Sequence, residues 1–237
     1  MILTINQPAY LPWPGYFDRI DASDLHVILD HVQFEKNSLV NRNRIRTPEG
    51  WTWLTIPIAT SGQFSNLPIT DLQCADGGRW RRKHWKAIHS NYARAPNFEE
   101  HSRYILQHYE EQPDSDLFLP PILELNRYFL DVLSVGTRII RSSQMPVAAT
   151  KSELVFELCK ITGASTYISG PLGRGYLDLG RFESAGIKVL FHDYEPQQYS
   201  QAWPGFEPAM SVLDLLANYD ATTAHDIIRS GRRFNDR

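Results

Sequence analysis

The amino-acid sequence predicts an α/β fold: a mostly parallel sheet flanked by helices in a Rossmann-like layering, with a helical insertion near residues 80–133. Three observations predict it. Short apolar runs recur and stop at proline or glycine, and proline cannot continue a central strand ladder. Between those runs lie stretches whose bulky residues fall three and four apart, the spacing of one helical face. The chain opens as strand, turn-rich loop, helix, strand, and repeats the alternation with a glycine loop after residue 150. At 237 residues, without an internal repeat or a linker-like stretch, one domain over residues 1–237 is expected.

The elements follow in order. Residues 1–6 form an apolar run closed by Gln7-Pro8, and a loop carrying Pro12, Pro14 and Gly15 leads to a short helix over 16–22. Residues 25–29 read as the next strand. Residues 51–58 alternate apolar side chains with threonine, the pattern of a half-buried strand bounded by Pro57. Residues 62–72 read as a loop with a short apolar stretch. Trp80, His84, Ile88 and Tyr92 share one helical face, and aromatics at that spacing read as core. A helix over 97–112 is closed by Pro113. Ile122, Leu125, Phe129 and Leu133 make the apolar face of a helix over 117–133. Residues 138–141 suggest a strand entering a Ser142-Ser143 turn. The helix over 151–162 stops at Gly163, and a strand over 165–169 ends at Gly170-Pro171. A helix at 179–185, a strand at 187–192 and a helix at 211–219 complete the order. The residues after Ser230 are polar and are expected to fray.

Composition narrows the classes. Hydrophobic residues at 42% and charged residues at 22% are those of a soluble globular protein. A net charge of -3 argues against a nucleic-acid substrate, although an aminoacyl-tRNA stays open as an acyl donor. No apolar run reaches the roughly 20 residues that span a bilayer, and the N-terminus lacks signal-peptide character, so a cytoplasmic location is expected. Cys74 and Cys159 form no CxxC pair, so neither a disulfide framework nor a metal site is expected. Cys159 reads as a buried structural thiol. Two basic islands, one with Lys36, Arg42, Arg44 and Arg46 and one over residues 79–86, have solvated faces as their plain reading.

Candidate chemistry concentrates between residues 7 and 45. Gln7, Asp30, Gln33, Lys36, Asn41 and Arg42 stand near strand ends and turns, where folds of this class hold ligands. Lys36, Arg42 and Arg44 supply donors suited to phosphate or carboxylate. Gln7, Gln33, Asn41 and Asn43 add amides that read hydroxyls. Tyr10, Trp13, Tyr16 and Phe34 either stack on a sugar or base or fill core. Asp30 suits a proton acceptor or a salt bridge with Lys36 or Arg42, and both readings stand. His31 follows it, but adjacent strand residues point to opposite faces, which opposes a direct Asp30–His31 couple. His26, His31 and His192 would meet if their strands were neighbours. Ser169, Gly170, Gly173, Arg174 and Tyr176 form a strand-to-helix turn that either binds an anion, with Arg174 as helper cation, or serves only as a turn. Its G-x-x-G-x-G spacing matches neither the dinucleotide fingerprint nor the Walker loop.

The blocks Q-P-A-Y-L-P-W-P-G-Y-F-D-R-I (7–20), S-D-L-H-V-I-L-D-H-V-Q-F-E-K (23–36), N-R-N-R-I (41–45) and W-L-T-I-P (53–57) resemble the WbqC-like family. So do Y-I-S-G-P-L-G-R-G-Y-L (167–177), the strand at 186–191, Y-S-Q (199–201) and F-E-P-A-M-S-V-L-D-L-L (206–216). These are bacterial proteins encoded among lipopolysaccharide O-antigen and other surface-glycan biosynthesis genes. His31 departs from the family's D-D-V-Q-F pattern, which leaves Asp30 as the stronger catalytic candidate. The resemblance implies a transferase that tailors an amino sugar by acyl or aminoacyl transfer, forming an amide on a nucleotide-linked amino sugar. Its partners would be a nucleotide sugar and an acyl donor, and no cofactor is specified. Under it Lys36, Arg42 and Arg44 hold the pyrophosphate, Asp30 or a histidine takes the amine proton, and Gln7 and Gln33 orient the sugar. An ATP-dependent amide ligase of nucleotidyltransferase-like fold is the alternative enzyme, although the H-x-G-H signature of that group is absent. A non-catalytic subunit of a glycan assembly complex is the third reading. The charged cluster opposes it, because interface cores are depleted of charge.

Overall fold

Leu3 and Ile5 of the first strand face one core, with the buried Thr4 between them, and the rest of the sheet is laid on either side of that strand. A computed structural model describes residues 1–60, 67–110 and 116–236. Strand β1 (Ile2–Asn6) pairs in parallel with β2 (Leu25–Ile28) on one side and with β6 (Thr166–Ser169) on the other. β5 (Arg138–Arg141) extends the β2 side, and β7 (Lys188–His192) extends the β6 side. The last strand, β8 (Phe234–Asn235), pairs antiparallel with β7, giving the order β5-β2-β1-β6-β7-β8. The α/β class and mostly parallel sheet are therefore as expected. A two-stranded hairpin of β3 (Arg42–Thr47) and β4 (Gly50–Thr55) stands apart from that sheet.

Helices cover both faces. α5 (Lys151–Thr162) and α6 (Leu179–Ser184) close one core, in which Leu154, Leu158 and Phe182 meet Leu3, Ile5 and Val27. α1 (Pro14–Asp21), α2 (Arg79–Tyr92), α3 (Phe98–Glu110), α4 (Leu119–Val132), α7 (Val212–Asn218) and α8 (Ala221–Ser230) contribute to the other, larger core. Trp80, Ile88 and Tyr92 are buried there, the core reading of that aromatic face. Helices α2 to α4 are the expected insertion between β4 and β5. Gly163 takes φ +70 as it ends α5, a left-handed value that a side chain would oppose. The closure of α3 at Pro113 and the first residues of the 62–72 loop lie outside the described residues.

Two elements were not expected from the sequence, and one expectation needs correction. Residues 42–47, which carry arginine at every second position and were given no element above, form β3. Asn43 and Ile45 turn inward, while Arg42 and Arg44 on the opposite face stack over Trp53 and Trp51. Residues 221–230 form a helix, α8, capped by the Asp220 side chain on the Thr223 N–H. The tail beyond Ser230 is not frayed: β8 joins the sheet, and Arg232 reaches the carboxylates of Asp18 and Asp21 at 2.9 and 2.5 Å.

The strand order decides where a ligand fits. From β1 the chain builds outward through β2 and β5, then returns to the other side of β1 for β6 and β7. Loops leaving β1 and β6 therefore diverge, and the topological switch point lies outside their carboxyl ends, the place where open α/β sheets bind ligands.

Candidate functional site

Arg19 lies at that switch point. It lies on α1, and its Nη2 donates to Asn6 Oδ1 at the end of β1. A Cβ added at Gly170, just past β6, would collide with Arg19 Nη1, so only glycine lets the turn pass this close to the guanidinium. Among the described residues Arg19 makes no ion pair. Its Nε is buried without a partner, as is the Nδ2 of Asn6. Burial pulls the guanidinium below its ordinary pKa, opposed by the nearby Tyr167, Tyr16 and Tyr176. A buried cation with donors left over is built to meet an anion. Gln7 stands next to Asn6, half-buried. Gly173 repeats the close approach, since a Cβ there would strike Ser169 Oγ, and Ser169 Oγ donates to the Gly170 carbonyl at 3.1 Å.

One strand away, the ends of β2 and β5 are joined through Asp30. Its carboxylate accepts from Arg141 Nε at 2.6 Å, Ser143 Oγ at 2.8 Å, the Ser143 N–H at 2.9 Å and Ser142 Oγ at 3.1 Å. Burial pushes the Asp30 carboxyl up, but these donors prevail and hold it below the usual carboxylate range. So the salt-bridge reading of Asp30 holds with a different partner: Arg141, not Lys36 or Arg42. The Asp30 N–H donates to Ser142 Oγ at 3.1 Å, and His31 Nδ1 lies 2.7 Å from the same oxygen. Ser142 has one proton and gives it to Asp30, so His31 must donate through Nδ1. That tautomer leaves His31 Nε2 as a proton acceptor. Asp30 and His31 thus communicate through Ser142, which answers the objection that neighbouring strand residues face apart.

At the far end of the same edge, His192 closes β7 and its Nε2 lies 2.7 Å from Asp18 Oδ2. Asp18 also accepts from Arg232 Nε at 3.0 Å. The three histidines do not meet: β1 and β6 separate β2 from β7, three strand spacings of about 4.8 Å. His26 is buried within β2.

The other expected site residues divide by location. Tyr10 is fully buried in the larger core and bonds His84 Nδ1 at 2.8 Å, as well as the Tyr109 hydroxyl. Phe34 is in that core too. Trp13 packs edge-on to Tyr194. For Tyr10 and Phe34 the core alternative is the one observed. Asn41 donates to the Ile56 carbonyl at 2.8 Å and Asn43 to that of Leu11 at 2.7 Å, so both tie the hairpin to backbone. Gln33 does likewise with Phe34 O and the Leu67 N–H. Arg42 and Arg44 stack on Trp53 and Trp51, Arg44 also reaching the Pro208 and Ala209 carbonyls. Lys36 is exposed beyond β2. Arg174 closes its fork on Asp193 at 2.8 and 2.7 Å, and Tyr176 is partly exposed after the glycine turn. Arg19, Asn6, Arg141 and Ser142 were not singled out by the sequence. Arg19 had one signal: a cation on a short helix following the first strand.

Among the described residues no group of three or more His, Cys, Asp or Glu side chains is placed to hold a metal ion. None of their helices is long and apolar enough to cross a membrane. A family model described as the WbqC-like protein family matches residues 7–226. The Mycobacterium tuberculosis (strain ATCC 25618 / H37Rv) protein named "Uncharacterized protein Rv1507c" is 37% identical over 236 residues, covering 98% of this chain and 99% of its own length. No solved structure matches the chain.

Proposed function

The chain belongs to the WbqC-like protein family, and from that premise and the strand-end geometry we propose that it is a transferase acting on a nucleotide-linked amino sugar, forming an amide by acyl or aminoacyl transfer. The observation that carries the reading is the guanidinium of Arg19, without a carboxylate partner and with its Nε buried and unbonded, at the switch point between β1 and β6. A pyrophosphate is the dianionic group such switch points take in this class of fold. In this reading Arg19, and not Arg42 or Arg44, anchors the pyrophosphate, with the spare amide protons of Asn6 and Gln7 beside it.

The sugar then extends from the end of β1 toward the end of β2. There His31 Nε2 accepts the proton of the attacking amine, and Asp30 acts through Ser142 as the positioning residue that holds the tautomer. The amine nitrogen forms the new C–N bond as the bond from the acyl carbon to its donor breaks. The leaving group departs with the electron pair and is protonated from His31. Asp30 itself, held as a carboxylate by four donors, is too weak a base for this step.

Isothermal titration against a panel of nucleotide sugars tests the anchor. Arg19→Ala should weaken binding about 10- to 100-fold, the loss of charge-assisted hydrogen bonds, while Arg42→Ala stays near wild type. Equal binding by Arg19→Ala and wild type would sink the assignment. His31→Ala should bind the sugar nucleotide normally and lose amide formation, followed by mass spectrometry.

A further inference from the structure

The hairpin of β3 and β4 carries a face that no step above uses. Its inward residues Asn43, Ile45 and Leu54 are buried and anchor it to the body of the fold. On the other face Arg44 stands opposite Trp53, and Arg46 opposite Trp51. Trp51 and Trp53 are 42% and 38% exposed, although an indole is among the side chains that gain most from burial. Their rings meet edge to face at 5.6 Å.

Arg42 lies over Trp53 at 4.3 Å, and Arg44 over Trp51 at 5.0 Å and Trp53 at 5.9 Å. Each arginine thus takes its diagonal partner across the strand pair. The contacts run cation, indole, cation, indole along one line. Side chains on one face of a strand recur every two residues, about 6.8 Å apart, so Arg42 and Arg44 are spaced for two separate anions.

Neither cation is neutralised. Arg42 Nη1 reaches Asn37 Oδ1 at 3.5 Å, and Arg44 Nη2 donates to the Pro208 and Ala209 carbonyls at 3.3 Å. These partners carry no net charge, and among the described residues neither arginine forms an ion pair. Arg46 is excluded from the ladder, since it is buried and donates to Gln201 and to the Gly50 carbonyl. Glu49 lies exposed in the turn and Glu207 close to Gly50, so the positive charge sits at the end away from the turn.

We propose that this ladder binds a short single-stranded stretch of nucleic acid, with phosphates on Arg42 and Arg44 and bases against the indoles and the guanidiniums over them. A single strand alternates flat rings and negative charges, as the ladder alternates indoles and cations. Bases stack on guanidinium planes as well as on aromatic rings. An acidic polysaccharide fits worse, because a pyranose packs on a bare indole face and guanidiniums already lie over both indoles. An acidic peptide offers charge without the rings. The net charge of -3 opposes a long nucleic-acid track, and two cations ask for only two or three nucleotides. The assignment does not rest on the transferase reading.

Fluorescence polarisation of the full chain with labelled six-nucleotide RNA and DNA single strands tests it. The same sequence as a duplex, polygalacturonate and polyglutamate serve as competitors. Either single strand should bind, with log K falling against log salt at a slope of about -1.4, the value for two phosphates. Affinity should then drop about sevenfold between roughly 50 and 200 mM salt. Trp53→Ala should weaken binding about 5- to 150-fold through lost stacking, and Arg42→Ala should reduce the slope to about -0.7. The wild-type slope needs no variant, and a misfolded Arg42→Ala would lose binding instead of halving the slope. No binding of either strand, a slope near zero, displacement by duplex as effective as by single strand, or stronger displacement by polygalacturonate or polyglutamate would each overturn the proposal. Nucleotide-sugar titration on the same samples keeps the two readings apart. Strand binding without nucleotide-sugar binding removes the transferase reading and leaves the ladder, and the reverse result removes only the ladder.

Discussion

Arg19 and Arg42 are chemically the same residue, and their place in the fold makes the difference between them. Arg42 lies over Trp53 on the hairpin of β3 and β4, away from the ends of the parallel strands. Arg19 is enclosed at the strand ends with Asn6 and lacks a counter-charge. Asp30 shows the complementary case, a carboxylate whose environment supplies every donor it can use. Replacing it with Asn leaves Arg141 without its ion pair, and Asp30→Asn should cost about 1–3 kcal/mol at pH 7, discounted for the partial exposure of Arg141. The sign with pH follows from the lowered pKa. A carboxyl held below its unfolded value stabilises the fold above about pH 4 and loses that contribution as pH falls through its folded pKa. Urea titrations should therefore show a gap between wild type and Asp30→Asn at pH 7 that narrows at pH 3. Residues 7 to 45 were legible as a polar concentration, but which members stand at the switch point was not. Tyr10 and Asn43 share the block with Gln7 and end in the core or on backbone carbonyls.

At the scale of elements, glycines at two turns do different work. Gly163 has open space around its Cβ position but a positive φ of +70, so Gly163→Ala should lower stability by about 1 kcal/mol in chemical denaturation and leave binding intact. Gly170 is unstrained, and its Cβ would meet Arg19. Gly170→Ala should displace the guanidinium and weaken nucleotide-sugar binding by about tenfold in titration, with a smaller change in unfolding midpoint than Gly163→Ala. The helices with a one-sided apolar pattern, α2, α4 and α5, were readable because periodicity records which face is buried. β3 was not, because its exposed face carries arginines that only become strand-like when tryptophans from β4 lie beneath them. For α8 the signal is an N-cap, Asp220, before a weakly apolar run.

Across the whole molecule, the C-terminal residues lock the first helix to the last strand pair. Arg232 and Arg229 both reach Asp21, with His225 close by. Burial pushes Asp21 up, but its arginine hydrogen bonds outweigh that and bring it to about 2. Removing residues 231–237 deletes β8 and takes Arg232 from Asp18 and Asp21. The shortened chain should unfold about 4–8 °C lower, the equivalent of roughly 2 kcal/mol for a chain of this size. An unchanged midpoint in differential scanning calorimetry would mean the tail contributes nothing.

By itself the sequence determined the α/β class, the order of its main elements, the helical insertion and the family. Each of these is written in local periodicity, in proline and glycine positions, or in contiguous motif blocks, all of which survive without knowing what lies opposite. Only the tertiary structure decided that β1 lies between β2 and β6, and so where the switch point falls. It likewise decided that Arg19 is the cation at that point and that Ser142 links Asp30 to His31. The partners in each of these contacts are separated by 13 to more than 100 residues. Burial and pairing depend on such distant partners, and no local pattern carries their identity.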